Sequence, residues 1–507
     1  MNQPRTWRNV LFSNTGVLIL LAMGVVVLHL LTNGQYGFHR DELATLDDGR
    51  YLDWGYVAYP PITPFIGRVA LELFGPTTVG VRFFSSVAQA IALVLTGLMA
   101  RELGGKRWAQ IVAAVAVAVA PLALGAGALL QYVAFDYLWW VLIAYLTIRL
   151  LKSENPRWWL GIGATIGLGM MTKYTLGFLV LGIVGGVLLT KARRYLKSPW
   201  LWGGVALSLL IFLPNLIWQV QHNFISLDFL GSIHARDVRI GRTGEFLLDQ
   251  FKTCTNLATI PIWIAGLYFY FRAVAGKRYR LIGWLYIIPL GLFIITQGRG
   301  YYLAPAYPML LAGGMVWIEQ WVTTQSAERN RSVRSTIKWA LAIGGVIAAA
   351  MALPVAPINS TWWNVAIAMN GDLKEEVGWP ELVQTVAQIR AGLPSTDRAQ
   401  LGILAGNYGE AGAINLYGPA YNLPTAISGI NSYWLRGYGD PPPQTLIVLG
   451  LTPTDANQIF RTCEIAGRIT NPYDVKNEET TEHPTILVCR ELRSSWPEFW
   501  NRFKYFG

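Results

Sequence analysis

Apolar residues run in long, nearly unbroken blocks through the first two-thirds of the chain and then stop. The first block, 16–31, is long enough to cross most of the roughly 30 Å of a bilayer's hydrocarbon as a helix. Further blocks at 83–100, 109–124, 133–149, 158–171, 174–190, 200–218, 256–271, 281–296, 303–322 and 339–355 raise the expectation to about eleven transmembrane helices. A helix is expected in each because lipid offers the backbone no hydrogen-bond partner. The blocks at 109–124 and 158–171 are short for a crossing and predict a broken or tilted helix. Beyond residue 356 the pattern changes to short apolar strands at 400–404, 445–449 and 485–488 with a helix at 380–391. The expected organisation is a polytopic α-helical unit, 1–355, with long loops 32–82 and 219–255, followed by a soluble α/β domain, 356–507.

Composition strengthens this picture. With 53% hydrophobic and 14% charged residues and 21 Trp, the chain is excluded from the ordinary water-soluble class. A net charge of +11 raises the question of a nucleic-acid partner, but the basic residues fall between apolar blocks and not on one soluble face, so none is expected. They concentrate at Arg5 and Arg8 and in 101–107, 149–157, 191–197, 272–280 and 329–338, while the alternate loops are longer and poorer in Lys and Arg. That bias predicts a cytoplasmic N-terminus, and an odd number of crossings then puts the C-terminal domain outside. The first block exceeds a signal-peptide core and lacks a small-x-small cleavage site, so it reads as a retained span. Cys463 and Cys489 lie in the tail, where they form either a disulfide or two buried thiols. No metal-type Cys/His spacing is present.

Candidate chemistry gathers on the predicted outer side. Asp41 and Glu42 follow the first block, and a carboxylate near a membrane face, partly desolvated, can accept a proton as a general base. The segment after them, with Asp47, Asp48, Asp53, Trp54, Tyr56 and Tyr59, is suited to stacking on a sugar ring or a lipid headgroup; the plainer alternative is a set of solvated loop residues. Asp136 lies at the outer end of an apolar block, where an ionisable group is costly and marks either function or an interfacial hydrogen bond. Lys173 interrupts two blocks against the charge bias, so it either snorkels or meets an anion such as phosphate. Arg299 stands between two glycines and offers a bidentate fork to phosphate, and Tyr301 and Tyr302 either serve the same headgroup or form an aromatic belt. Arg236 and Arg239 are further candidates for clamping a phosphate, whereas His29 reads as a packed histidine.

The motifs FHRDE at 38–42, GYVAYPPITPF at 55–65, TKYT at 172–175 and YYLAPAYP at 301–308 together resemble glycosyltransferase family 39. These are the dolichyl-phosphate-mannose protein mannosyltransferase-like membrane proteins of the GT-C superfamily, and the layout is similar to the bacterial lipid A aminoarabinose transferases. The resemblance implies an inner- or plasma-membrane enzyme that moves a sugar from a polyprenyl-phosphate donor to a hydroxyl of a lipid, glycan or protein acceptor at the outer leaflet, inverting the anomeric carbon. In it Asp41 is the base, Glu42 orients it, Asp136 takes a second acidic position, and Lys173 and Arg299 neutralise the departing phosphate. Tyr59, Arg236, Tyr301 and Tyr302 complete the expected substrate contacts. No cofactor is required, and a divalent cation beside the acidic pair is the alternative. Two rival classes remain open: a secondary transporter, and a non-catalytic envelope assembly protein.

Overall fold

A computed structural model describes residues 13–507, which leaves the basic pair Arg5 and Arg8 outside the described residues. The chain divides into two compact units. The first contains the described residues up to Thr32 together with Arg82–Gln221 and His234–Leu353; the second contains Asn33–Val81, His222–Ile233 and Pro354–Gly507.

Helices occupy all eleven apolar blocks, but they differ in length. Among the described residues six are long and apolar enough to span a bilayer: Asn14–Thr32, Thr78–Glu102, Tyr132–Ser153, Pro199–Gln221, Lys277–Ile295 and Ala327–Ala352. Three more crossings arise if bent pairs are counted as one each. Arg107–Ala118 turns by 66° into Pro121–Gly127, Leu176–Leu189 by 101° into Lys191–Lys197, and Phe246–Lys252 by 91° into Leu257–Phe271. The block at 158–171 is a helix of 13 residues, Trp158–Met170, and 303–322 begins as a 3₁₀ turn, Gly300–Ala306, before Tyr307–Thr323. A window of hydropathy does not register where prolines such as Pro121 and Pro305 interrupt the backbone ladder, which is why length is the finer measure. Large apolar side chains remain exposed along these helices, among them Leu209, Leu210, Ile343 and Val346, a distribution that fits a lipid solvent. Inside, Tyr137, Trp140, Tyr270, Phe293 and Tyr307 are buried in one continuous core.

The second unit contains a five-stranded mixed sheet. Its strands are β1 (Leu401–Leu404), β2 (Ala426–Ile427), β3 (Thr445–Val448), β4 (Phe460–Arg468) and β5 (Thr485–Leu492), in the order β2-β1-β3-β5-β4. The first three are parallel and β5 runs antiparallel to both of its neighbours. Cys463 and Cys489 are directly opposed on β4 and β5 and form a disulfide. The helix expected at 380–391 is Trp379–Gly392.

The stretch expected as loop 32–82 is itself largely helical, with Arg40–Asp48 and Ile62–Phe74. Arg40–Asp48 starts on a capping box: His39 accepts from the Asp41 N–H at 3.1 Å, and the Glu42 carboxylate accepts from the His39 N–H at 2.9 Å. It packs within the second unit against Tyr408–Tyr417, which starts on a capping box of its own. There Asn407 accepts from the Glu410 N–H, and Glu410 accepts from the N–H groups of Gly406 and Asn407. The two backbones approach closely because Gly409 and Gly412 face the partner helix. A methyl group on Gly412 would stand 2.7 Å from the Leu43 carbonyl carbon.

Two outcomes follow from this packing. Gly412→Val must push the helices apart, and we expect it to cost about 1–3 kcal/mol, read as a lower unfolding midpoint of the purified protein in detergent. Burial, reinforced by the Glu479 carboxylate, pushes the Glu410 carboxyl from its ordinary 4.5 up to about 8, and burial pushes Glu479 up to about 7. Both groups keep their protons in the fold at pH values where the unfolded chain has released them. Their contribution is therefore complete below about pH 4.5 and is lost as pH rises through about 7 to 8. The unfolding midpoint should fall between pH 5 and 8.5, and Glu410→Gln should flatten that fall; an unchanged slope in the variant would show that Glu410 ionises freely.

Candidate active site

In the second unit the acidic helix Arg40–Asp48 carries four carboxylates with different surroundings. Glu42 is fully buried and is engaged by the helix's own first turn. Asp47 and Asp48, at the last turn, are buried and share one guanidinium: Arg436 donates to Asp47 Oδ2 at 2.5 Å and, through its other nitrogen, to Asp48 Oδ1. Asn415 adds a bond to Asp47 at 2.9 Å, and the Tyr59 hydroxyl donates to Asp48 Oδ2 at 2.7 Å. Burial nevertheless outweighs Arg436 and raises the Asp48 carboxyl to about 6. Asp41 differs from all three, since its side chain is 42% exposed. Its carboxylate is hydrogen-bonded by the Tyr408 side chain and lies 4.0 Å from His39 Nδ1. Of the four acids it is the one whose side chain is not buried.

In the first unit the expected cations come together with aromatic rings. Lys173, in the break after Trp158–Met170, is buried and places its ammonium 3.7 Å from Asp136 Oδ2 on the helix Tyr132–Ser153. The rings of Tyr132, Tyr301 and Tyr302 surround the same ammonium at 5.0, 5.1 and 4.4 Å. The two tyrosines of the 3₁₀ turn thus present ring faces to Lys173, a cation–π arrangement. Removing either partner of the buried Lys173–Asp136 pair would leave a lone charge at a cost of about 3–5 kcal/mol. Arg299 neighbours Tyr301 and Tyr302 and donates from Nε to Asp237 Oδ2 at 2.6 Å. Arg236 and Arg242 approach the other oxygen of Asp237, each at 3.8 Å. Three guanidinium groups therefore meet one buried carboxylate.

Asp136, Lys173, Tyr301 and Tyr302 thus form one cluster, joined by Arg299 and Arg236 through Asp237, while Asp41, Glu42 and Tyr59 belong to the acidic helix. Asp237, in the stretch expected as the loop 219–255, is buried. Arg436, Tyr408 and Asn415 carry no recognisable motif and reach the acidic helix across 365 or more residues of chain. Among the described residues no group of three or more His, Cys, Asp or Glu side chains is arranged to hold a metal ion, and beside Asp41 the Glu42 carboxylate is taken by the capping box.

Residues 58–218, which include Tyr59, Asp136 and Lys173, match the family described as dolichyl-phosphate-mannose-protein mannosyltransferase. A lipid A galacturonosyltransferase of Rhizobium johnstonii is 27% identical over 305 residues, covering 58% of this chain and 61% of the relative. An undecaprenyl phosphate-alpha-4-amino-4-deoxy-L-arabinose arabinosyl transferase of Pectobacterium carotovorum is 24% identical over 380 residues, covering 67% of this chain and 64% of the relative. In both cases the chain spans less than two-thirds of the curated relative. Among solved structures, ArnT from Cupriavidus metallidurans bound to undecaprenyl phosphate matches with a TM-score of 0.58 at 14% identity, covering 93% of this chain and 97% of that one. The Archaeoglobus fulgidus oligosaccharyltransferase matches with a TM-score of 0.50 at 12% identity, covering 87% and 70%. Residues 58–218 are thus a match to the dolichyl-phosphate-mannose-protein mannosyltransferase family, set within a chain that shares the fold of the ArnT structure.

Proposed function

We propose that this protein is a membrane glycosyltransferase that moves a sugar from a polyprenyl-phosphate carrier to an acceptor hydroxyl, with inversion, and that Asp41 is the general base. The observation that carries the reading is the division of labour on the helix Arg40–Asp48. Glu42, Asp47 and Asp48 are buried on protein partners, while the Asp41 side chain remains 42% exposed. In the proposed step the acceptor oxygen attacks the anomeric carbon as its proton passes to Asp41. The bond from that carbon to the phosphate oxygen breaks, and the polyprenyl phosphate leaves with the bonding pair. Lys173 and Arg299 stabilise the negative charge of the leaving phosphate. Asp136 holds the Lys173 ammonium in place by an ion pair at 3.7 Å, and the ammonium has three donors. The Tyr301 and Tyr302 rings keep the ammonium desolvated, and Arg236 contributes to the charge around Asp237. The donor class follows the names of the two curated relatives, one acting on lipid A and one using an undecaprenyl-phosphate sugar.

The reading includes a topology: residues 1–355 as the polytopic part, 356–507 as an extracytoplasmic domain, and the reaction at the outer leaflet of the inner membrane. Support comes from the Cys463–Cys489 disulfide, since such bonds persist in oxidising compartments.

The test is transfer measured in detergent with undecaprenyl-phosphate donors carrying 4-amino-4-deoxy-arabinose, galacturonic acid or a neutral hexose, and with lipid A as acceptor. One donor should be turned over by the wild type. Asp41→Asn should lower that rate about 10²–10⁴-fold while leaving the unfolding midpoint and donor binding in place. A fully active, folded Asp41→Asn would remove the base assignment.

A further inference from the structure

We propose that Arg436 and Glu478 are positioning residues for Asp41, clamping the two ends of its helix, so that residues 354–507 complete the base instead of forming a detachable module. The proposal rests on the reading of Asp41 as the base.

The helix Arg40–Asp48 has nine residues, too few to hold a defined position by itself in water. Its last turn ends in Asp47 and Asp48, and carboxylates at the C-terminal end oppose the helix dipole. These two acids therefore do nothing for the isolated helix, and their burial is explained by what they meet. Arg436 spans both carboxylates, and its guanidinium is fixed between the rings of Tyr51 and Tyr433 at 4.5 and 4.4 Å. At the other end Arg40, the residue before Asp41, pairs through both terminal nitrogens with Glu478, lies 4.0 Å from Glu479, and sits over the Tyr408 ring at 4.9 Å. The clamps are seven to eight residues apart, about 10–12 Å along the axis. Two charged anchors at that spacing, with Gly409 and Gly412 bringing the neighbouring backbone against the side of the helix, fix its translation and its rotation together. Rotation matters most for Asp41, because it swings the carboxylate about the axis, and a displacement of about 1 Å at a reacting group can cost 10²-fold in rate.

A purely structural role would lower stability and leave the turnover of folded protein unchanged, so the test reads kcat and KM on protein whose unfolding midpoint shows it to be folded. Arg436→Gln should lower kcat about 10–100-fold with the donor KM within about threefold of wild type, and Arg436→Lys, which keeps one charge but loses the fork, should fall between them. In the Asp41→Asn background the same substitution should change the residual rate by less than about twofold, because it acts through a carboxylate already removed. Unchanged kcat in folded Arg436→Gln, or an equal further loss in the Asp41→Asn background, would overturn the proposal. Should Arg436→Gln fail to accumulate, Glu478→Gln is measured in the same way, since Arg40 keeps Glu479 as a partner. It should lower kcat about three- to tenfold, and unaltered kcat would overturn the proposal. The two failures are distinguishable: a fully active Asp41→Asn removes the base reading itself, whereas an inactive Asp41→Asn beside a fully active Arg436→Gln removes only the positioning role.

Discussion

A charge taken out of water must find an opposite charge, and much of this protein is arranged by that requirement. The Lys173 ammonium lies against Asp136, the Arg299 guanidinium against Asp237, and the Arg436 guanidinium across Asp47 and Asp48. Each pair joins segments that are remote in the chain, so each is a tertiary constraint as well as a local neutralisation. The aromatic residues serve the same end. Rings of Tyr132, Tyr301 and Tyr302 around Lys173, and of Tyr51 and Tyr433 around Arg436, exclude water without removing the electrostatic partner.

The pairing also separates residues that look equivalent in one dimension. Asp41 and Glu42 are consecutive acids, yet a turn of helix gives them different surroundings. Glu42 sits at the third helical position, where a capping box calls for a carboxylate, and is consumed there. Asp41, one position earlier, stays partly exposed. A similar distinction holds among the arginines, since Arg299 is within hydrogen-bond distance of Asp237 while Arg236 and Arg242 stand farther off.

Several of the candidate residues lie in loops and helix breaks. Lys173 occupies a gap between two apolar helices, Arg299 precedes a 3₁₀ turn, and Asp41 opens a short helix after the first span. Breaks in apolar helices are where backbone groups and charged side chains can be satisfied together. The bent pairs at Pro121, Leu189 and Leu257 are the same device applied to the frame.

Several features were legible from the amino-acid order alone. Apolar periodicity is a local property, so the helices of the spanning unit, the strands at 401–404 and 445–448, and the helix at 379–392 could be placed from composition and spacing. The cationic cluster was legible too, because a lysine or an arginine inside an apolar context is anomalous wherever the chain later goes. What the order could not supply was the partner of each charge. Nothing near Asp47 points to Arg436, and nothing in the GEAGAIN stretch announces that Gly409 and Gly412 will lie against Arg40 and Leu43. Those contacts join residues more than 360 positions apart, and only the folded chain decides them, because closing such loops costs entropy that many cooperating contacts must offset at once.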